Sequence, residues 1–296
     1  MATGYLKNKQ KLKGIRYMLL AIAAINALIT VILGIVSSFF ENPIPMYLQS
    51  LIIGLCAYLI PLVVYAKTTG VTVQAAEEKF YLKRCKPYML AFALVLGVCW
   101  QFVMVVISLP ASFLFGGVTD AAPDTLLSLA AAVFVVGVIP AVFEEFLFRG
   151  IVDGSMSEFN TRAAVIFSSV MFAFMHADIY NFIGYIIMGV ILTSIVRRTG
   201  SVYTAMMFHF ANNVTALLLG YFNPELMYAP AFTIGIFVAA VFGFFLVYAA
   251  FISVTKNPKK VSVVQTATLL GQSFVNLPVL LCFILLAGAI ILMRVV

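Results

Sequence analysis

Apolar runs close to 20 residues long recur along this chain. That is the length a helix needs to cross the hydrocarbon core of a bilayer. The runs lie at about residues 17–40, 46–66, 88–110, 125–149, 162–177, 180–197, 201–222, 229–254 and 274–293. Hydrophobic residues make up 64% of the chain against ~45–50% in soluble domains, and mean hydropathy is +1.10. The expected fold is an all-α polytopic membrane protein, a bundle of about eight or nine transmembrane helices around an intramembrane polar chamber. The runs at 162–177 and 180–197 are short and share a tight connection at Ala177-Asp178. The longest polar connection, about 67–87, is too short for a soluble domain, so residues 1–296 are expected to form a single transmembrane domain.

Charge orients the runs. Lys7, Lys9, Lys11, Lys13 and Arg16 precede the first, and Lys67, Lys79, Lys83, Arg84 and Lys86 follow the second. Arg149 and Arg162 flank the connection after the fourth, Arg197 and Arg198 follow the sixth, and Lys256, Lys259 and Lys260 follow the eighth. Under this reading all 18 Lys and Arg residues except Arg294 fall on one side. The opposite connections carry Glu41, Asp120, Asp124, Asp178 and Glu225. Basic residues are retained in the cytoplasm, so a cell-membrane, multi-pass protein with a cytoplasmic amino terminus is expected. The net charge of +7 then reports topology and gives no reason to invoke nucleic acid. The first run exceeds the 7–15 residues of a signal-peptide core and is expected to remain in place. Cys56, Cys99 and Cys282 are intramembrane and Cys85 lies in a basic connection; no spacing suggests a disulfide framework or zinc knuckle.

The ionisable residues inside the apolar runs carry the functional signal. Such groups cost at least ~2.5–3.5 kcal/mol at the centre of a bilayer helix and usually mark function. Glu145 and Arg149 are four apart, with the acid on the amino-terminal side, so they can pair on one helical face. Glu144 points ~100° away and has no local counter-ion, which leaves it available for proton transfer. The chain's two histidines, His176 and His209, follow in apolar runs. Phe172 and His176 share one helical face at i,i+4, as do His209 and Asn213. A structural salt bridge near the interface, or an interhelical histidine hydrogen bond worth ~0.6 kcal/mol, would explain any one of these but not the set.

Depth constrains how they meet. A helix ending at Gly150 would hold Glu145 only ~8 Å from the cytoplasmic end, against ~21 Å for His176 and ~12 Å for His209. Continuing the fourth helix through Gly150 to about Ser157 brings Glu145 to ~18 Å, at ~1 kcal/mol for one internal glycine. Asn160 or Thr161 can then cap the fifth helix and Ser201 the seventh. This predicts a chamber between mid-depth and the cytoplasmic side.

Glu144-Glu145-x-x-x-Arg149, Phe172-x-x-x-His176 and His209-x-x-x-Asn213, in this order, resemble the three motifs of the ABI/CPBP family. That family comprises the type II CAAX prenyl endopeptidases and bacteriocin-processing enzymes, and the spacing resembles its prokaryotic branch. The likeness covers about residues 140–215, including Phe148-Arg149-Gly150, Ser168-Ser169, Gly189 and Arg198-Thr199-Gly200-Ser201, within a family-like core of about 125–222. It implies an intramembrane endopeptidase acting on a membrane-associated peptide or protein. Carried over, Glu144 and His176 would activate a water, His209 and Asn213 would stabilise the oxyanion, and Glu145, Arg149 and Phe172 would support them. The expected mechanism uses glutamate without a cofactor, since the local H-E-x-x-H helix signature is absent. The alternative is a zinc ion held by Glu144, His176 and His209 with one open position. Two other functional classes compete: a non-catalytic scaffold, as in bacteriocin self-immunity, and a proton-coupled transporter. Confinement of the polar motifs to residues 144–213 counts against transport, because transporters commonly show symmetric halves. Oligomeric state and substrate identity are not encoded in these features.

The charge split predicts that a reporter fused after Pro87 reads cytoplasmic and one fused near Asp120 reads external, by alkaline phosphatase and fluorescent-protein fusions. Exchanged signals would reverse the orientation.

Overall fold

The computed structural model describes residues 2–39, 48, 51–52, 54–69, 77–115, 123–222 and 230–295. Glu41, Asp120, Glu225 and the start of the second apolar run lie outside them. The helices are α1 (Ala2–Ser38), α2 (Gly54–Leu59 continuing as Ile60–Thr69), α3 (Pro87–Phe115), α4 (Leu126–Met156), α5 (Thr161–Met175), α6 (Phe182–Thr199), α7 (Val202–Phe222), α8 (Pro230–Val254), α9 (Thr266–Phe274) and α10 (Leu277–Val295). Among the described residues, six are long and apolar enough to cross a membrane. The described residues contain isolated bridges but no strand.

Three expected spans take a different form. The ninth falls on α10, but α10 counts as a candidate span only together with α9, from which it bends by 60°, as a broken span or a re-entrant loop. The fifth ends at Met175, and its 15 residues reach only ~22 Å at 1.5 Å per residue, short of a ~30 Å hydrocarbon core. The first helix starts well before residue 17 and carries the basic leader within it.

The extension of α4 past Gly150 is present. The helix continues to Met156, with π-wound stretches at Val133–Val138 and Phe146–Asp153. Each π turn is wider than an α turn and shifts the phase of the side chains that follow. Gly150 lies inside the second stretch, where Leu147 through Asp153 are all buried.

The core forms where α3 crosses α7, α5 packs on α6, α8 on α3, α1 on α10, and α4 is held between α5 and α7. At Gly97 the α3–α7 crossing permits no side chain: an added Cβ would collide with the Phe208 carbonyl oxygen.

The basic connections meet at one end of the bundle. Lys79 Nζ is 3.6 Å from Glu158 Oε1, and the Val202 amide donates to the Tyr81 carbonyl at 2.8 Å. The Thr161 amide donates to the Val261 carbonyl at 2.9 Å. Asn160 Oδ1 caps α5 by accepting from the Arg162 and Ala163 amides, while its Nδ2 donates to the Val264 carbonyl at 2.7 Å. The expected Ser201 cap is not made by its side chain, whose buried hydroxyl has no hydrogen-bond partner among the described residues. Its carbonyl instead accepts from Thr204 Oγ1 at 2.7 Å. Two arginines of the charge tally are not solvated connection residues. Arg149 is fully buried within α4, and Arg197 makes a two-pronged ion pair with buried Asp153 at 2.5 and 3.0 Å.

Gly97→Ala should therefore lower the thermal midpoint of detergent-solubilised protein, by overpacking worth at least about 1–3 kcal/mol. The obstructing atom belongs to backbone and has little room to yield.

Candidate active site

The site is built from the middle of α4 outward. Glu145 and Arg149 pair on one face as their spacing predicts, Nη1 donating to Oε1 at 2.9 Å with both side chains fully buried. The guanidinium carbon lies 4.1 Å from the centre of the Phe172 ring, so the cation also rests on the negative face of a buried aromatic. Phe172 in turn contacts the His176 and His209 rings, with centroids 4.5 and 5.8 Å away, both edge-on. One phenylalanine on α5 thus spaces the arginine and both imidazoles.

Glu145 has a second partner. Its Oε1 lies 2.8 Å from His209 Nδ1. A carboxylate ion-paired to arginine accepts hydrogen bonds, so His209 carries its proton on Nδ1 and Nε2 is the free nitrogen. His176 is set the same way by another group: its Nδ1 is 2.8 Å from the Phe172 carbonyl, which can only accept. His176 is the C-cap of α5, with Ala177 beyond it at φ 50°. The imidazole therefore sits where the short helix stops, stacked on Tyr185 of α6 at 4.0 Å.

Glu144 faces these rings. Its Oε2 is 3.5 Å from His176 Nε2 and is otherwise a buried oxygen without a hydrogen-bond partner. One ligand-capable atom from each of Glu144, His176 and His209 lies within 4.8 Å of the others. The three residues come from the middle of α4, the end of α5 and the first half of α7. By residue count they lie ~12–22 Å from the basic end of the bundle.

Asn213 lies one turn beyond His209. Its Nδ2 donates to the Val136 carbonyl at 2.9 Å, in the first π-wound stretch of α4, and its Oδ1 accepts from Asn212 at 3.1 Å. No hydrogen bond among the described residues joins it to Glu144, His176 or His209, so it ties α7 to α4. Its second amide hydrogen remains available.

Two features escape the spacing argument. The Glu145–His209 bond joins residues 64 positions apart. Tyr58 of α2 donates to Glu144 Oε1 at 3.1 Å across 86 positions. A tyrosine inside an apolar run carries no local mark of such a role. Asp153 was more legible: it continues the Glu145, Arg149 series at i+4.

The donor set fits a divalent metal. Glu144 offers an orphaned oxygen and each histidine a free Nε2. Each Nδ1 is fixed by a carbonyl or carboxylate, the outer arrangement that orients metal-ligating histidines. Three ligands leaving one open position match a catalytic zinc site.

The family model described as Type II CAAX prenyl endopeptidase Rce1-like matches residues 126–215, the segment that supplies all three groups. This segment is similar to that family, within the ABI/CPBP group. A Bacillus subtilis (strain 168) protein named "Putative membrane peptidase YdiL" is 26% identical over 102 residues. The match covers 34% of this chain, which spans 42% of that relative's length. No solved structure matches.

Removing Arg149 leaves Glu145 buried with only His209 to answer its charge. Arg149→Ala should reduce abundance in the membrane and lower stability by about 3–5 kcal/mol, read by immunoblot and by thermal denaturation in detergent. Arg149→Lys should restore part of this, because it keeps the charge but loses the planar contact with Phe172.

Proposed function

We propose that this protein is an intramembrane endopeptidase that hydrolyses a peptide bond in a membrane-associated peptide or protein. The observation that carries this reading is the convergence of Glu144, His176 and His209 within 4.8 Å inside an apolar bundle. Peptide hydrolysis needs a base within hydrogen-bond reach of a water and donors already aimed at the developing oxyanion. Glu144 Oε2 and His176 Nε2, 3.5 Å apart, are the pair for a nucleophilic water: the carboxylate takes a proton as the oxygen attacks the carbonyl carbon. The proton then passes to the leaving nitrogen as the carbon–nitrogen bond breaks. His209 is the oxyanion donor. With Nδ1–H committed to Glu145, its Nε2 donates when the ring carries both protons. The second amide hydrogen of Asn213 assists.

The orientation of both Nδ1 atoms favours a second reading, in which Glu144, His176 and His209 hold zinc. A zinc ion would supply Lewis acidity and a more acidic water. This chain's residues would then bind it and orient one another, as Glu145 does for His209 and the Phe172 carbonyl for His176.

The site opens toward the cytoplasm or laterally into the bilayer, in a cell membrane with the amino terminus inside. In a host that does not prenylate proteins, the substrates are peptide leaders or pheromone precursors.

Membrane peptidomics of cells carrying wild-type or Glu144→Gln protein tests the reading and finds the substrate together. Glu144→Gln should abolish a cleavage while leaving protein level near normal; equal cleavage at matched levels removes Glu144 from the mechanism. Purified protein should keep its activity under prolonged strong chelation and contain substoichiometric zinc. His209→Ala should reduce turnover ~10²–10³-fold, as for loss of an oxyanion donor, without changing metal content. Loss on chelation restored by zinc, or loss of a stoichiometric metal in His209→Ala, establishes the zinc reading instead.

A further inference from the structure

The matched segment begins at residue 126, yet one group touching the site comes from α2, far outside it. Tyr58 is buried, 7% exposed, and its hydroxyl lies 3.1 Å from Glu144 Oε1. A close helix approach places it there. A Cβ at Gly54 would sit 2.8 Å from Ile139 Cγ2, so the absence of a side chain lets α2 lie against α4 just before Glu144. Gly54 and Tyr58 are four apart in a π-wound stretch, Gly54–Leu59, so the residue that permits the approach and the one that exploits it lie on nearly the same face.

The hydrogen bond makes the two oxygens of Glu144 unequal. Oε1 accepts from the phenol, whereas Oε2 has no hydrogen-bond partner and is the oxygen nearest His176 Nε2. A carboxylate on a flexible side chain can rotate and present either oxygen. Pinning one fixes the other's direction, and catalytic groups must be held to about half an ångström. We propose that Tyr58 is a positioning residue for Glu144: it occupies Oε1, holds the carboxylate plane and leaves Oε2 as the oxygen that acts on water. This rests on the glutamate reading above. It adds a component from the amino-terminal part of the chain.

The test uses full-length protein in liposomes and the peptide whose cleavage depends on Glu144. Tyr58→Phe keeps the ring and removes one oxygen. It should lower kcat about ten- to a hundred-fold, the scale of one hydrogen bond to a charged group, with KM nearly unchanged. A second readout does not depend on turnover. The infrared difference between wild type and Glu144→Gln isolates the Glu144 carboxyl band, and that band should shift in Tyr58→Phe. Wild-type kcat or an unmoved band overturns the proposal. So does a rise in KM at constant kcat, which would place Tyr58 in substrate binding. If Tyr58→Phe does not accumulate, 3-fluorotyrosine at position 58 keeps the ring and hydroxyl but strengthens the donor, and the same band must move. The two readings fail separately: an active Glu144→Gln removes the glutamate mechanism, while an inactive Glu144→Gln beside a fully active Tyr58→Phe removes only Tyr58.

Discussion

An arginine in the middle of an apolar helix must have its charge answered by protein, because moving an ion out of water costs several kcal/mol even after relaxation. Arg149 is answered twice, by Glu145 at 2.9 Å and by the face of Phe172 at 4.1 Å. The rest of the chamber is organised by these two partners. Glu145 also meets His209 through the same oxygen that holds the arginine, and Phe172 holds His176 through its backbone carbonyl and its ring edge. The buried ion pair therefore joins α4, α5 and α7 into one unit. Two acids adjacent in sequence thus face different neighbours: Glu145 meets Arg149 and His209, and Glu144 meets Tyr58 and His176.

The division was legible in the sequence because helical geometry is local. The spacing of Glu145 and Arg149, and of Phe172 and His176, fixes who shares a face, and the structure shows both contacts. The depth argument reached further, since it required α4 to continue past Gly150, and it does so to Met156. Local spacing fails where partners lie on different helices. Tyr58 with Glu144 and His209 with Glu145 depend on how helices cross, and crossing is decided by features such as the bare backbone at Gly54 and Gly97. Asn213 shows the same limit. Its spacing gave no sign that one amide hydrogen would go to the Val136 carbonyl, in a widened turn of α4. The charge tally had a related weakness, because counting arginines by segment cannot separate a solvated residue from the buried pairs made by Arg149 and Arg197.

The short α5 is part of the design. Ending the helix at Met175 places His176 in a cap, where its ring nitrogen can reach the carbonyl of Phe172 and its face can stack on Tyr185. A helix carried to full membrane thickness would bury that position within another turn. The tight return at residues 177–181 is closed by Asp178, whose carboxylate accepts from the Tyr180 and Asn181 amides. The left-handed Ala177 reverses the chain.

Asn160 has a wider consequence. Its carbonyl oxygen caps α5 while its amide nitrogen is held by Ser262, Val264 and Thr266, and the Thr161 amide ends on the Val261 carbonyl. The start of the helix that carries His176 is thus anchored by chain a hundred residues downstream, well past the segment shared with the family. The shared segment is not a self-contained module. A homologue that trims or replaces the connection between α8 and α9 must find another anchor for this helix, and variation in that distant loop can reset the tilt and depth of the histidine without altering any motif.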